Sequence, residues 1–283
     1  MDVWTTDDPQ AFLDRAAEHL AAEPVLTNVL AVVAQRLTRG TYTADDPWFA
    51  TVRQDGAVVA TGMLTAPNAY VGPGPDAAGD LLAQALLDAG RTPLGVVGMR
   101  GPAARFAGTW ATATGGTARV TTDEGVHVLG TLLPPTGVQG TARVAGHADE
   151  DLLAGWLLDF RTEAFADREP DPREVFVRMA AAGVAERRFV LWEVDGAPVS
   201  LAGRSGPTFG VGRVGPVWTP PAQRRRGYAA MVTAAVSRAL LDDGAEQVML
   251  FTDLANPTSN GVYARLGYVQ VDEAVEYTFD PTP

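Results

Sequence analysis

Internal duplication constrains the fold of this chain more than any other feature. "FATVRQDGAVVATG", starting at Phe49, is answered by "FVLWEVDGAPVSLAG", starting at Phe189, with Asp55-Gly56 falling on Asp195-Gly196. Both read as two strands joined at an Asp-Gly turn, the strongest short-range hairpin signal. "YVGPG" from Tyr70 then matches "RVGPV" from Arg213, so that Val71 falls on Val214. "ALLDAG", ending at Gly90, matches "ALLDDG", ending at Gly244. Each of these is a helix end closed by a C′ glycine, and each leads into an apolar strand, "LGVVGM" at Leu94 and "QVMLFT" at Gln247. Three matches in one order point to a unit of hairpin, strand, helix and strand used twice. The expected class is α/β, with two tandem domains, each a mixed, mostly antiparallel sheet flanked by helices. The paired prolines and glycines of "LLPPTGVQG", Leu132 to Gly140, mark the junction, dividing the chain into 1–135 and 136–283.

The two copies are unequal. Val71 to Gly90 is nineteen steps and Val214 to Gly244 is thirty, so the second copy is longer by eleven. The extra length lies around "WTPPAQRRRGYA", where the first copy has only "GPDAAGD". Three consecutive arginines at the start of a helix are out of place, because a helix N-terminus carries partial positive charge. They are more so in a chain with 22 Lys plus Arg against 34 Asp plus Glu, a formal net charge of −12. A strand, a tight loop and a helix start with free amides form an anion site. Gly227 lets the backbone approach a ligand closely, and Ala229 keeps the next contact small. Arginines around such a loop become favourable once phosphates occupy it, which points to a polyphosphate ligand. The competing meaning is a solvated basic surface run.

Several chemistries are excluded. There are no cysteines, which removes disulfides, thiolate metal sites and a cysteine nucleophile. His19, His127 and His147 are scattered without a partner at ligand spacing, so no metal is expected. No apolar run is long enough for a bilayer, and the acidic start "MDVWTTDDPQ" is no secretory signal, so a cytoplasmic setting is expected. The negative charge argues against nucleic acid and anionic membrane as partners and suits a cationic one. Gly210, Gly212 and Gly215 satisfy G-x-G-x-x-G, but Pro220 and Pro221 follow where a dinucleotide site needs a helix. These glycines suit a bulge or a close backbone approach instead. Neither a G-x-S-x-G elbow nor a G-x-x-x-x-G-K loop is present.

In the second half, apolar spacing predicts helices in "DEDLLAGWLLDFRTEAF" and "PREVFVRMAAAG", from about Arg226 to Asp243, and from Thr258 to Leu266. A strand "FGVGRVGPVWT" precedes the arginine loop, and strands "YVQVDEAVEYTF" close the chain. "PAQRRRGYA" resembles the Q/R-x-x-G-x-G/A loop of the GNAT superfamily of acyl-CoA-dependent N-acetyltransferases, with Arg224, Gly227 and Ala229 on its fixed positions. "NPTSNGVYARLGY" resembles the family's second signature, with Asn256, Ser259, Tyr263, Gly267 and Tyr268 in register. The likeness runs from about Gly140 to the C-terminus, and a degraded version covers the first half.

The resemblance implies acetyl-CoA as co-substrate, its pyrophosphate on the backbone amides of Arg225, Arg226, Gly227, Tyr228 and Ala229. The pantetheine arm would pair like a short strand with the backbone around Val217 and Thr219, where one N–H can polarise the thioester carbonyl. Tyr263 is the candidate general acid for the leaving thiolate, placed on one helix with Ser259 after Asn256; a core aromatic is its other reading. Asn256 is either a turn residue before Pro257 or a residue that holds pantetheine or orders the helix start. The family's carboxylate base on the strand before the loop is missing, since "FGVGRVGPVWT" has no Asp or Glu. A water chain, a neutral amine, or Glu163, Glu193, Glu273 or Glu276 remain. Tandem members of the superfamily act on small amines, which implies a small cationic acceptor such as an amino sugar or peptide antibiotic. The acidic segment "FRTEAFADREPDPRE" would recognise it, through Glu163 and Asp167; a solvated acidic connector is its other reading. The first copy would be degenerate, and the protein a monomer or homodimer. A non-catalytic acyl-CoA-binding or partner-binding module is the competing class.

Overall fold

The computed structural model describes residues 1–65, 67–164 and 171–280. The first half contains β1 (Asp2–Thr6), α1 (Pro9–Ala22), α2 (Asn28–Thr38), β2 (Trp48–Gln54), β3 (Ala57–Leu64) and β4 (Ala69–Val71). It continues with α3 (Ala77–Asp88), β5 (Gly95–Met99), α4 (Arg100–Thr114) and β6 (Thr117–Leu129). The second half contains β7 (Thr141–Val144), α5 (Glu150–Ala164), α6 (Arg173–Ala185), β8 (Phe189–Val194) and β9 (Ala197–Thr208). Then come β10 (Val211–Trp218), α7 (Tyr228–Asp242), β11 (Gln247–Asp253), α8 (Pro257–Leu266) and β12 (Tyr268–Asp280). The repeated order of hairpin, strand, helix and strand is therefore present twice, as β2 to β5 and as β8 to β11. Both hairpins turn as their sequences require: Asp55 and Gly56 have φ of 52° and 86°, Asp195 and Gly196 of 50° and 76°. Two consecutive left-handed residues make the turn whose twist matches the strands it joins.

Two compact units result. The first comprises Met1–His127, Phe251–Pro257 and the chain from Gln270 onward; the second comprises Val128–Leu250 and Thr258–Val269. In the first unit the strand order is β1-β2-β3-β4-β5-β12-β6. The last strand of the chain is thus an interior strand of this unit, with Ala274 to Thr278 antiparallel to Met99 to Gly95. Leu82, Leu86, Val96, Phe106 and Trp110 form its core around α3 and α4. The sequence places the strands after α8 at the end of the second repeat; their pairing partner is a long-range property that periodicity does not carry.

In the second unit the order is β7-β8-β9-β10-β11. Side chains alternate across this sheet, as a period of two demands. Val190, Trp192 and Ala202 pack with Val232, Val236 and Leu240 of α7. Phe189, Leu191 and Leu201 face the other way, onto Leu153 and Leu157 of α5 and Phe176 of α6. The unit is therefore three layers, with α7 on one face and the α5–α6 pair on the other. Gly212 lets α7 come close, since a Cβ there would lie 2.8 Å from Leu240 Cδ2. The glycine pattern in β10 serves packing and a bulge, the register shifting between Val214 and Val217 on either side of Gly215.

Two local boundaries differ from the sequence expectation. Phe209, read as the first residue of a strand, is left-handed with φ of 46° and turns the chain with Gly210, so β10 starts at Val211. The helix expected from Arg226 starts at Tyr228, because Arg225 and Gly227 are left-handed, with φ of 64° and 84°. Among the described residues, no helix is long and apolar enough to cross a membrane.

Candidate functional site

The site grows out of the way β10 leaves β11. These parallel strands pair only from Val211 to Arg213, against Gln247 to Met249. Beyond that, among the described residues, β10 continues without a strand partner on this side to Trp218, held by β9 through Val214 to Arg204, Val217 to Ala202 and Trp218 to Leu201. A strand paired on one edge leaves the peptide groups of the other edge free for an extended ligand. Val217 and Thr219, the residues expected along a pantetheine arm, sit at this free end; Val217 is half-buried and Thr219 buried. The Thr219 hydroxyl is hydrogen-bonded to Ser200 at 2.8 Å, and Ser200 donates to the Trp218 carbonyl at 3.0 Å. Ser200 carries no sequence signal, because nothing in a strand pattern marks which residue will face a neighbouring hydroxyl.

The first copy differs at the same place. Val71, which matches Val214, is still paired, to Gly98, and β4 ends there. Its helix α3 opens with Asp76 before it and Asp80 in its first turn. Asp80 is held by Arg105 and accepts from Thr109 Oγ1 at 2.6 Å, and these contacts keep its carboxyl ionised to lower pH than usual despite the opposing effect of burial. Anionic side chains therefore stand where the second copy has arginines.

After β10 the chain makes one short 3-10 turn, Pro221–Gln223, and then the arginine loop. Arg224 is extended, Arg225 is left-handed, and Gly227 is the left-handed N-cap of α7. Left-handed residues on both sides of Arg226 keep this stretch out of the helix and leave its backbone N–H groups without helical partners. The helix has no side-chain cap and no acidic residue in its first turn. Its earliest backbone acceptance from the loop is Met231 N–H to the Gly227 carbonyl at 3.0 Å. Among the described residues, no acceptor takes the amides of Arg226, Gly227, Tyr228, Ala229 or Ala230. Gly227 is required twice over, by its φ and because a Cβ would lie 2.9 Å from Val138 Cγ2. The Tyr228 side chain is buried in the core, so only its amide is available to a ligand. Arg225 and Arg226 are exposed.

Arg224 is placed otherwise than its neighbours. Its Nε donates to the Thr219 carbonyl at 2.9 Å and its Nη2 to Glu163 Oε2 at 2.7 Å. Its guanidinium lies 4.8 Å from the ring centre of Trp218, which Phe160 meets edge-on. Glu163, expected to meet an acceptor, is thereby an ion-pair partner of the loop. Asp167, expected beside it, lies outside the described residues. Trp218 and Phe160 belong to this corner as well, and nothing in the sequence pattern marks either of them for it.

Tyr263 lies on α8, half-buried, its ring edge-on to Tyr268 at 6.1 Å. Burial pushes its hydroxyl up to about 12. Tyr268 is also raised, by burial, and its hydroxyl is bound to Ser237 at 2.7 Å. Among the described residues the Tyr263 hydroxyl has no hydrogen-bond partner, in contrast to Tyr268. Ser259 is half-buried on the same helix, one turn earlier. Asn256 is exposed in the turn before α8, its N–H donating to the Asp253 carbonyl at 3.0 Å.

The four carboxylates considered as bases are all engaged. Glu163 pairs with Arg224 and Glu193 with Arg143 at 2.7 Å, and Arg143 also grips Asp149. Glu273 pairs with Arg100, and buried Glu276 accepts from Asn68 Nδ2 at 2.7 Å. Glu273 and Glu276 belong to the first unit.

Residues 199–277 match the sequence model of a family described as FR47-like protein. Aminoglycoside N(6′)-acetyltransferase type 1 of Serratia marcescens is 27% identical over 140 residues, 46% of this chain and 93% of that protein. A GCN5-related N-acetyltransferase of Sphaerobacter thermophilus superposes over 97% of this chain and 94% of its own, with TM-score 0.61 and 18% identity. A tandem GNAT protein from the clavulanic acid biosynthesis pathway covers 100% and 99%, with TM-score 0.56 and 14% identity.

Proposed function

We propose that this chain is an N-acetyltransferase of the GNAT superfamily and that it moves the acetyl group of acetyl-CoA to the amine of a small molecule. One observation carries the reading: among the described residues, the opening between β10 and β11 and the amide-lined loop occur together, and only in the second copy. The residues fit the co-substrate. Its diphosphate suits the amides of Arg225 to Ala229, with the positive end of α7 behind them. Its extended pantetheine suits the free edge of β10 at Val217 and the chain just beyond it at Thr219, whose carbonyl Arg224 already uses. In this reading residues 136–283 carry the catalytic repeat, and 1–135 are the degenerate one.

Acetyl-CoA supplies the acyl group as a thioester; the residues of this chain position it and manage protons. A backbone N–H on the free edge of β10 can donate to the oxygen on which negative charge develops. The acceptor nitrogen forms the new C–N bond as the C–S bond breaks, and Tyr263 gives its proton to the departing sulfur. The proton released by the nitrogen restores the tyrosine through solvent. With the four candidate carboxylates engaged, we assign no residue as base, and the acceptor reacts as the free amine.

The acceptor is proposed to be a small cationic amine. The named activity of the Serratia marcescens relative, acetylation of aminoglycosides, supports that class. Glu163 and Asp167 remain its proposed acidic contacts, Glu163 with one oxygen on Arg224. The test is a panel of amines, namely aminoglycosides, amino sugars, polyamines and amino acids, with acetyl-CoA and a thiol-detecting readout. Acceptor-dependent release of CoA from one of the first three groups is expected. Release no faster than thioester hydrolysis with every amine sinks the proposal.

A further inference from the structure

We propose that Arg224 is a positioning residue that sets the amides of the loop, with Glu163 as its anchor, and that it does not itself contact the diphosphate. This rests on the donor-site reading above. An arginine at the mouth of a phosphate site would ordinarily be assigned to the phosphate, because its planar fork matches phosphate oxygens. Here part of that fork, two of its five N–H groups, and one face of the guanidinium are already committed. Nε is used on the Thr219 carbonyl, Nη2 on Glu163, and the face of the guanidinium on Trp218. These contacts tie the start of the loop to two different elements. Trp218 ends β10 and Thr219 follows it, and Glu163 lies on the last turn of α5, one turn after Phe160, which packs on the same Trp218. The next residue, Arg225, is in a left-handed conformation that a non-glycine residue adopts at a cost. A backbone kept there, with the following amides left without helical partners, needs its flanks held. Arg224 holds one flank, and the first turn of α7 holds the other.

The sign of a single substitution separates positioning from direct contact. If Arg224 met the phosphates, removing Glu163 would free the guanidinium and take a negative charge away from an anionic ligand, so CoA would bind more tightly. If Arg224 positions the loop through Glu163, the same change weakens binding. The experiment titrates CoA into the full chain and its Glu163→Ala, Arg224→Ala, Arg224→Lys and doubly substituted forms at two salt concentrations. Weakening of about 2- to 5-fold is expected for each single alanine, in keeping with a restrained but exposed ion pair. The double alanine form should be no worse than Arg224→Ala alone. Arg224→Lys should behave like Arg224→Ala, since an ammonium keeps the charge but loses the planar fork. The salt dependence should stay as in the unsubstituted chain, because no phosphate contact is removed. In the absence of CoA, amide hydrogen exchange at 225–229 should quicken in Glu163→Ala, an effect that lost ligand charge cannot produce. Tighter CoA binding in Glu163→Ala, or full rescue by Arg224→Lys, overturns the inference and leaves the donor site standing. No binding of CoA by the unsubstituted chain overturns the donor site itself, and this inference with it.

Discussion

Tyr263 and Gly227 are where single atoms decide the outcome. Tyr263→Phe keeps the ring that meets Tyr268 edge-on and removes only the hydroxyl. Turnover should fall by about 10²-fold or more, the contribution of a general acid, while CoA affinity stays within two-fold by calorimetry. Turnover within a few-fold of the unsubstituted enzyme makes this tyrosine a packing residue. The pH profile carries the same assignment. A folded-state value raised to about 12 keeps the acid form present well beyond neutral pH, so Tyr263 adds no falling limb below about pH 10. With a free amine as nucleophile, kcat/KM for the acceptor should instead rise through the pKa of that amine and then level off. A bell-shaped profile with a descending limb near pH 8 would contradict both assignments. At Gly227 a side chain meets a φ of 84° and Val138 Cγ2 at 2.9 Å. Gly227→Asp adds a carboxylate facing the diphosphate, and calorimetry should detect no CoA binding. Binding at ordinary strength would remove the loop from the site.

At the level of elements, α7 has two tasks: its N-terminus presents amides, and its inner face forms the core of the second unit. Val232, Val236 and Leu240 are fully buried along that face. Leu240→Ala should lower unfolding free energy by about 3 kcal/mol, transfer plus cavity, as measured by urea denaturation. Gly212 next to it has no side chain with which to fill the gap. A loss below 1 kcal/mol would mean that the site collapses around the smaller residue. Much of this element was legible beforehand. Its C-terminus at "ALLDDG", its apolar stripe and its role after an amide-rich loop follow from local rules. Its start was missed by two residues, because nothing in "RRRG" announces that Arg225 would take a glycine-like conformation.

For the whole molecule, the inequality of the two copies predicts stoichiometry. One CoA per chain should bind, since β4 remains zipped to β5 where β10 has parted from β11, and acidic residues stand at the start of α3. Two equal sites by calorimetry would refute the degeneracy of the first copy. The place of β12 predicts how the chain can be divided. A fragment of residues 136–283 carries Ala274 to Thr278 without the β5 segment they pair with, and 1–135 lacks an interior strand. Each fragment alone should be rapidly cleaved by protease at the orphaned strand region, and co-expression should restore resistance. A stable, protease-resistant 136–283 fragment would show that β12 needs no such partner.

The Asp-Gly hairpins and the helix ends at Gly90 and Gly244 were decided by the sequence alone, because each depends on neighbours a few residues apart, and the duplication was legible as two such sets in one order. So was the second signature that places Tyr263 on a helix with Ser259. Tertiary structure decided what depends on distant partners: that Ser200 meets Thr219, that β12 pairs with β5, and that β10 parts from β11 after Arg213. It also decided that Arg224, exposed like Arg225 and Arg226, lies on Trp218 with Glu163 beside it. Three adjacent arginines are equivalent to any local rule. They differ only because one of them is within reach of a carbonyl, an aromatic face and a carboxylate brought from two other elements, and those distances exist only in the folded chain.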